Sequence, residues 1–185
     1  SYKIYYEYDK HNRLYDIVDK FYNYLKNEIG IKRFYKFQAE GICEILDSMI
    51  KLLESIVSGR TKDPIVKNGI ILQAPTGSGK TEVFIIGILL IILAYKFALY
   101  VCDLLNDDVS PLVFIVYPRR ALATDQLKRL VTYVYYINKS AREILKIKYP
   151  LVRISMSYTE VQNSDNYINA IKEKFNELND KFRTI

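Results

Sequence analysis

Apolar residues recur at helical spacing early in the chain, at Leu14, Ile17, Val18, Phe21, Leu25 and Ile29. Residues 2–8 alternate only weakly, and Gly30 ends the helical run in the place of a C-cap glycine. A second amphipathic helix is expected over residues 37–57, with Ile42, Ile45, Leu46, Met49, Leu53 and Ile56 on its apolar side. Residues 58–68 are polar, contain Gly59 and Pro64, and read as a loop. Apolar runs then alternate with longer periodic segments. Residues 69–73 form a short apolar strand, and a glycine-rich turn leads into a long apolar helix from Thr81. Residues 106–111 break that helix, residues 112–117 form a buried strand stopped by Pro118, and a helix follows over 121–146. Residues 151–157 predict a third strand. A last helix carries Ile168, Ile171, Phe175, Leu178 and Phe182, in a seam too short for a coiled coil and suited to packing on a sheet. Strand and helix in alternation predict an α/β fold, a parallel sheet with helices on both faces.

Length and composition narrow the picture. At 185 residues, half of them hydrophobic, the chain can build a full core, which excludes a disordered segment. The 13-residue apolar run at 83–95 is shorter than the roughly 20 residues of a membrane span, and Lys96 follows it. A buried helix is the better reading, and no membrane partner is expected. Cys43 and Cys102 form no paired motif, and with one histidine, His11, they cannot complete a four-ligand zinc site. No disulfide framework or secretory signal is legible, so a cytoplasmic location is expected. The net charge of +6 suits a phosphate-rich partner without requiring one.

The chemistry concentrates in Ala74-Pro-Thr-Gly-Ser-Gly-Lys-Thr81, between the first strand and the long apolar helix. Thr76, Gly77, Ser78 and Gly79 form a turn whose glycines let backbone N–H groups approach an anion with no Cβ in the way. The following helix offers free N–H groups and its positive dipole end. Lys80 can reach the β- and γ-phosphates of a nucleotide, and the Thr81 hydroxyl can ligate Mg²⁺. The strict phosphate-loop pattern has glycine where this chain has Ala74.

With Glu82 after the threonine, this segment resembles motif I of superfamily 2 helicases of the DEAD/DExH type. Upstream, Phe34-Tyr-Lys-Phe-Gln-Ala-Glu-Gly-Ile42 resembles the family's aromatic and glutamine element. The resemblance implies that Gln38 hydrogen-bonds the adenine edge while Tyr35 or Phe34 stacks on the base. Downstream, Tyr117-Pro-Arg-Arg-Ala-Leu-Ala-Thr-Asp-Gln126 resembles motif Ia, with Arg119 in place of the usual threonine. It implies nucleic-acid contacts at Arg119, Arg120 and Gln126, where two arginines and a helix N-terminus face phosphate oxygens. Motif Ib would fall near residues 155–160, without its usual glycine.

The resemblance implies a P-loop, RecA-like fold: an N-terminal helical extension over 1–33 and a partial ATP-binding domain over 34–185. The cofactors it implies are ATP and Mg²⁺, and the partners are single-stranded DNA or RNA and the remainder of the motor. No Asp-Glu dipeptide occurs in the 185 residues, so the carboxylates that hold Mg²⁺ and position the attacking water in this family are missing from them. Asp103, after an apolar run, is in the wrong order to replace them and is expected at a helix end. The chain is therefore expected to be an incomplete first lobe of an ATP-dependent helicase, inactive in isolation. A P-loop module that binds nucleotide or protein without turnover is the alternative, and a P-loop kinase would leave the motif Ia segment unexplained.

Overall fold

The chain's most apolar stretch becomes a helix with neighbours on several sides. The computed structural model describes residues 2–57, 70–103, 105, 113–117 and 120–154. Helix α1 spans Tyr2–Tyr24 and runs into a π-helical turn, Leu25–Ile29; α2 spans Lys36–Val57, α3 Lys80–Val101 and α4 Arg120–Leu145. In α3, the buried Val83, Ile85, Ile86, Leu89, Leu93 and Phe97 cover well over one face, and the helix touches α1, α2 and α4. It is the one helix among the described residues long and apolar enough to cross a membrane, and a core helix has the same composition.

The closest approach is between α2 and α3, at two glycines. A Cβ on Gly41 would stand 2.7 Å from Val83 Cγ1, and one on Gly87 would stand 3.1 Å from two Ile45 carbons. Each helix thus offers a notch for a β-branched side chain of the other, which fixes their relative register.

The other helix pair, α1 with α4, joins Ile17, Phe21 and Leu25 to Tyr133, Tyr136, Ile137 and Ala141 in the same core. Tyr24 stacks on Tyr136 at 5.1 Å and donates its hydroxyl to Glu143 at 3.0 Å. Lys20 pairs with Glu143 at 2.7 Å, and Lys139 lies over the Tyr24 ring at 4.8 Å. Burial pushes the Glu143 carboxyl up, but hydrogen bonds from Lys20 and Tyr24 and the charges of Lys20 and Lys139 outweigh it, leaving a pKa below its ordinary value. Gly30 closes the π turn at φ +84°, its N–H and that of Ile31 both reaching the Leu25 carbonyl.

The expected parallel sheet is not what the structure shows. Among the described residues there is no strand; the fold there is helical. Residues 70–75 and 113–117, read as strands, carry no ladder, and Ile71, Phe114 and Val116 are 93%, 80% and 87% exposed. An apolar run encodes a tendency to extend but not a pairing partner, and here the helices bury their apolar faces on one another. The third expected strand fails for a visible reason. Residues 151–154 bend, and the buried Asn138 amide occupies both backbone groups of Val152: Nδ2 donates to its carbonyl at 2.7 Å and Oδ1 accepts its N–H at 2.9 Å. A side chain has taken the bonds that a neighbouring strand would make. The expected loop at 58–68, the break at 106–111, residues 155–157 and the final apolar helix lie outside the described residues.

Two measurements check this packing. Gly41→Ala should lower stability in urea unfolding by about 1–3 kcal/mol through overpacking against Val83, although alanine is the better helix former by about 1 kcal/mol. A variant as stable as the parent would show slack in the notch. Glu143→Gln should cost about 1 kcal/mol at pH 7. Because the folded carboxyl titrates below its unfolded value of 4.5, that difference should persist above pH 4.5 and vanish as pH falls further.

Candidate functional site

Residues 76–79 turn the chain from the irregular segment 70–75 into α3, with Gly77 at φ +79° and Gly79 at φ +82°. Gly79 is the N-cap of α3, a left-handed position that a residue with a Cβ enters only under strain. Lys80 and Thr81 are therefore the first residues of the helix, beside its unpaired N–H groups. The Lys80 ammonium folds back onto its own loop, donating to the carbonyls of Ala74 and, at 2.7 Å, Pro75. The Ser78 hydroxyl is buried with no hydrogen-bond partner among the described residues.

Gln38 ties this loop to α2. It is 6% exposed; its Oε1 accepts the Tyr35 N–H at 2.9 Å, and its Nε2 donates to the carbonyls of Gly79 at 3.2 Å and Ser78 at 3.4 Å. The first bond is one half of a capping box at the start of α2. The others hold the loop, and a Cβ on Gly79 would collide with the same amide. Tyr35 is 61% exposed and stacks on Phe37 at 6.3 Å.

These residues share an open cleft of about 950 Å³, lined by Tyr35, Gln38 and every residue from Thr76 to Glu82. Its other wall comes from Gly30, Ile31, Lys32 and Arg33, and α4 contributes Leu122 and Arg129. Arg129 donates to Glu82 at 3.1 Å, with the carboxylate 17% and the guanidinium 51% exposed. Burial pushes the Tyr133 phenol up to about 12, Glu82 adds to this and Arg129 offsets part of it. With Lys32, Arg33, Lys80 and Arg129 against Glu82, the cleft is cationic and suits a polyanion.

Of the expected nucleic-acid residues, Gln126 is not in this cleft lining. Arg119 lies outside the described residues, and Arg120 begins α4. Gln126 is buried; its Nε2 donates to Asp125 at 3.3 Å, while its Oε1 has no partner among the described residues. Asp103 occupies the turn after α3, exposed and at φ +56°, the helix end expected for it.

A family model for DEAD/DEAH box helicases matches residues 47–177, most of the chain. The chain belongs to the DEAD/DEAH box helicase family. The match is consistent with part of the first lobe of such a helicase, and no curated protein and no solved structure matches the chain. In this DEAD/DEAH box helicase chain the matched region contains the glycine loop and begins downstream of Tyr35 and Gln38.

Two features of the site were not placed at the glycine loop from the sequence. Leu122 and Arg129 are seven residues apart, hence on one stripe of α4, a spacing that could have shown that Arg129 faces the loop. The adjacent cations Lys32 and Arg33 follow directly on the capping glycine and could have been read as a wall.

Two variants separate the jobs of Gln38. Gln38→Ala should destabilise the fold by about 1–3 kcal/mol and speed amide exchange at Tyr35, since buried partners are left unpaired. Gln38→Glu keeps the acceptor for the Tyr35 N–H but places a carboxylate against two carbonyls. It should preserve exchange protection at Tyr35 while still losing stability; loss of that protection would show that the capping bond depends on the loop.

Proposed function

We propose that this chain is the ATP-binding portion of an ATP-dependent nucleic-acid helicase or translocase. The observation that carries the reading is that Lys80 and Thr81 begin α3 directly after a left-handed glycine, in the wall of a cationic cleft. The fit of a nucleoside triphosphate with Mg²⁺ is supported by three details. Gly77 and Gly79 add no Cβ at the two left-handed positions of the loop, the Ser78 hydroxyl is buried without a partner among the described residues, and the N–H groups at the head of α3 face an anion favourably. When bound, the Mg²⁺–ATP pair supplies the cleavable phosphoanhydride that drives such motors.

The chain's own residues would then act as follows. Lys80 would give up the carbonyls of Ala74 and Pro75 for phosphate oxygens, and the Thr81 hydroxyl would hold Mg²⁺. Thr76, Ser78 and the loop amides surround the phosphates, with Glu82 held beside them by Arg129. Tyr35 offers an exposed ring face to the base, and Gln38 would read the adenine edge by giving up its bonds to the loop carbonyls. Arg119 and Arg120 would contact the phosphates of single-stranded DNA or RNA, and Gln126, buried beside Asp125, would have to turn outward to join them. These 185 residues contain no Asp-Glu pair, so they hold nucleotide without efficient turnover, and hydrolysis requires the rest of the motor.

Lys80→Ala should weaken ATP binding by about 2–3 kcal/mol in calorimetry, the range of a charge-assisted hydrogen bond. Equal affinity of both forms would overturn the assignment. Gln38→Ala should weaken ATP more than GTP, whereas equal loss would leave Gln38 with the loop only. Phosphate release by the 185-residue chain should stay at background with and without single strands.

A further inference from the structure

The part of the cleft lining formed by residues 30–33 is anchored to the core and has no assigned work. Ile31 and Phe34 pack against the core, and Phe34 lies 6.0 Å from Tyr22. The Ile31 N–H reaches the Leu25 carbonyl, and that of Lys32 reaches Gly30, both at 2.9 Å. These anchors leave Lys32 and Arg33 between them, exposed and lining the cleft. Neither side chain has a hydrogen-bond or ion-pair partner among the described residues, whereas Arg129 is paired with Glu82 and Lys80 is held by loop carbonyls.

Their position is also unfavourable for the fold. Both precede the N-terminus of α2, the positive end of its dipole, where cations lower helix stability. Lys36, in the first turn of the same helix, has Glu40 at 3.7 Å to offset it; Lys32 and Arg33 have no such offset. Two cations, unpaired among the described residues and set on an anchored backbone at a place that weakens a helix, fit a ligand that brings the missing negative charge.

We infer that Lys32 and Arg33 form a second anion-binding wall of the same cleft that engages the phosphate chain of a nucleoside polyphosphate together with Lys80. The inference rests on the nucleotide reading above and adds a selectivity to it. Lys80 and the glycine loop grip any phosphate that reaches them, while the dibasic wall rewards the number of charges on the ligand. ATP gains more from the wall than ADP, and ADP more than AMP. The attraction acts across solvent, so it fades as salt rises.

Calorimetry of the full 185-residue chain with ATP, ADP and AMP, at low and high salt, tests this in three forms: parent, Lys32→Ala/Arg33→Ala, and Lys80→Ala. The double variant should lose about tenfold in ATP affinity at low salt, as expected for charge-assisted contacts. AMP should be nearly unaffected, and the ATP loss should shrink at high salt. Urea unfolding should find the double variant as stable as the parent or more so, since two cations have left a helix N-terminus. Unchanged ATP affinity, or equal loss for ATP and AMP, overturns the inference while the Lys80→Ala arm still reports on the nucleotide site. A parent chain that binds none of the three overturns the nucleotide reading and the wall with it. Loss of single-strand binding with ATP affinity intact would assign the wall to nucleic acid and likewise overturn the inference.

Discussion

Two helices that meet at glycines set the position of everything at the cleft. Because Gly41 admits Val83 and Gly87 admits Ile45, α2 and α3 lie closer together than larger residues would permit. That approach puts the first turn of α2 against the first turn of α3. Gln38 and Gly79 can therefore meet, and one amide can serve a helix cap and a phosphate-type loop together. Widening the spacing by a methyl group at Gly41 would load the same interface that orients the loop.

The cleft is thus a junction of four segments: the capped end of the π turn, the head of α2, the glycine loop and one stripe of α4. Each is held from behind by apolar contacts in a shared core, Ile31 and Phe34 for the first and Val83 and Ile85 for α3. Polar groups converge on the open side, and apolar anchors determine where they stand. In a chain that belongs to the DEAD/DEAH box helicases, this arrangement concentrates positive charge around a loop with little side-chain bulk.

Much of the helical architecture could be read from spacing. The periodicity of Ile17, Phe21 and Leu25, the stop at Gly30 and the start of α3 after Gly79 all follow from local chemistry. The glycine loop was legible too, since its residues are consecutive. What could not be read was anything decided by a distant partner. The apolar residues around Ile71 and Phe114 imply extension, but pairing is a non-local event that no run of side chains encodes. Asn138 shows how such an expectation is displaced, because an amide fourteen residues away satisfies the backbone of Val152. The bond between Arg129 and Glu82 spans 47 positions and has no local signature beyond a helical repeat.

The lysine at the head of α3 is already solvated by protein oxygen, through the carbonyls of Ala74 and Pro75. Affinity for an incoming anion is therefore an exchange constant, the difference between two sets of oxygen ligands around one ammonium. Backbone carbonyls are neutral and phosphate oxygens are charged, so the exchange favours phosphate, but by less than a bare cation would provide. A weakly charged solute that touches only this ammonium gains little by displacing the carbonyls. On the nucleotide reading proposed above, the internal bonds of the loop are a reference state against which a phosphate would have to compete.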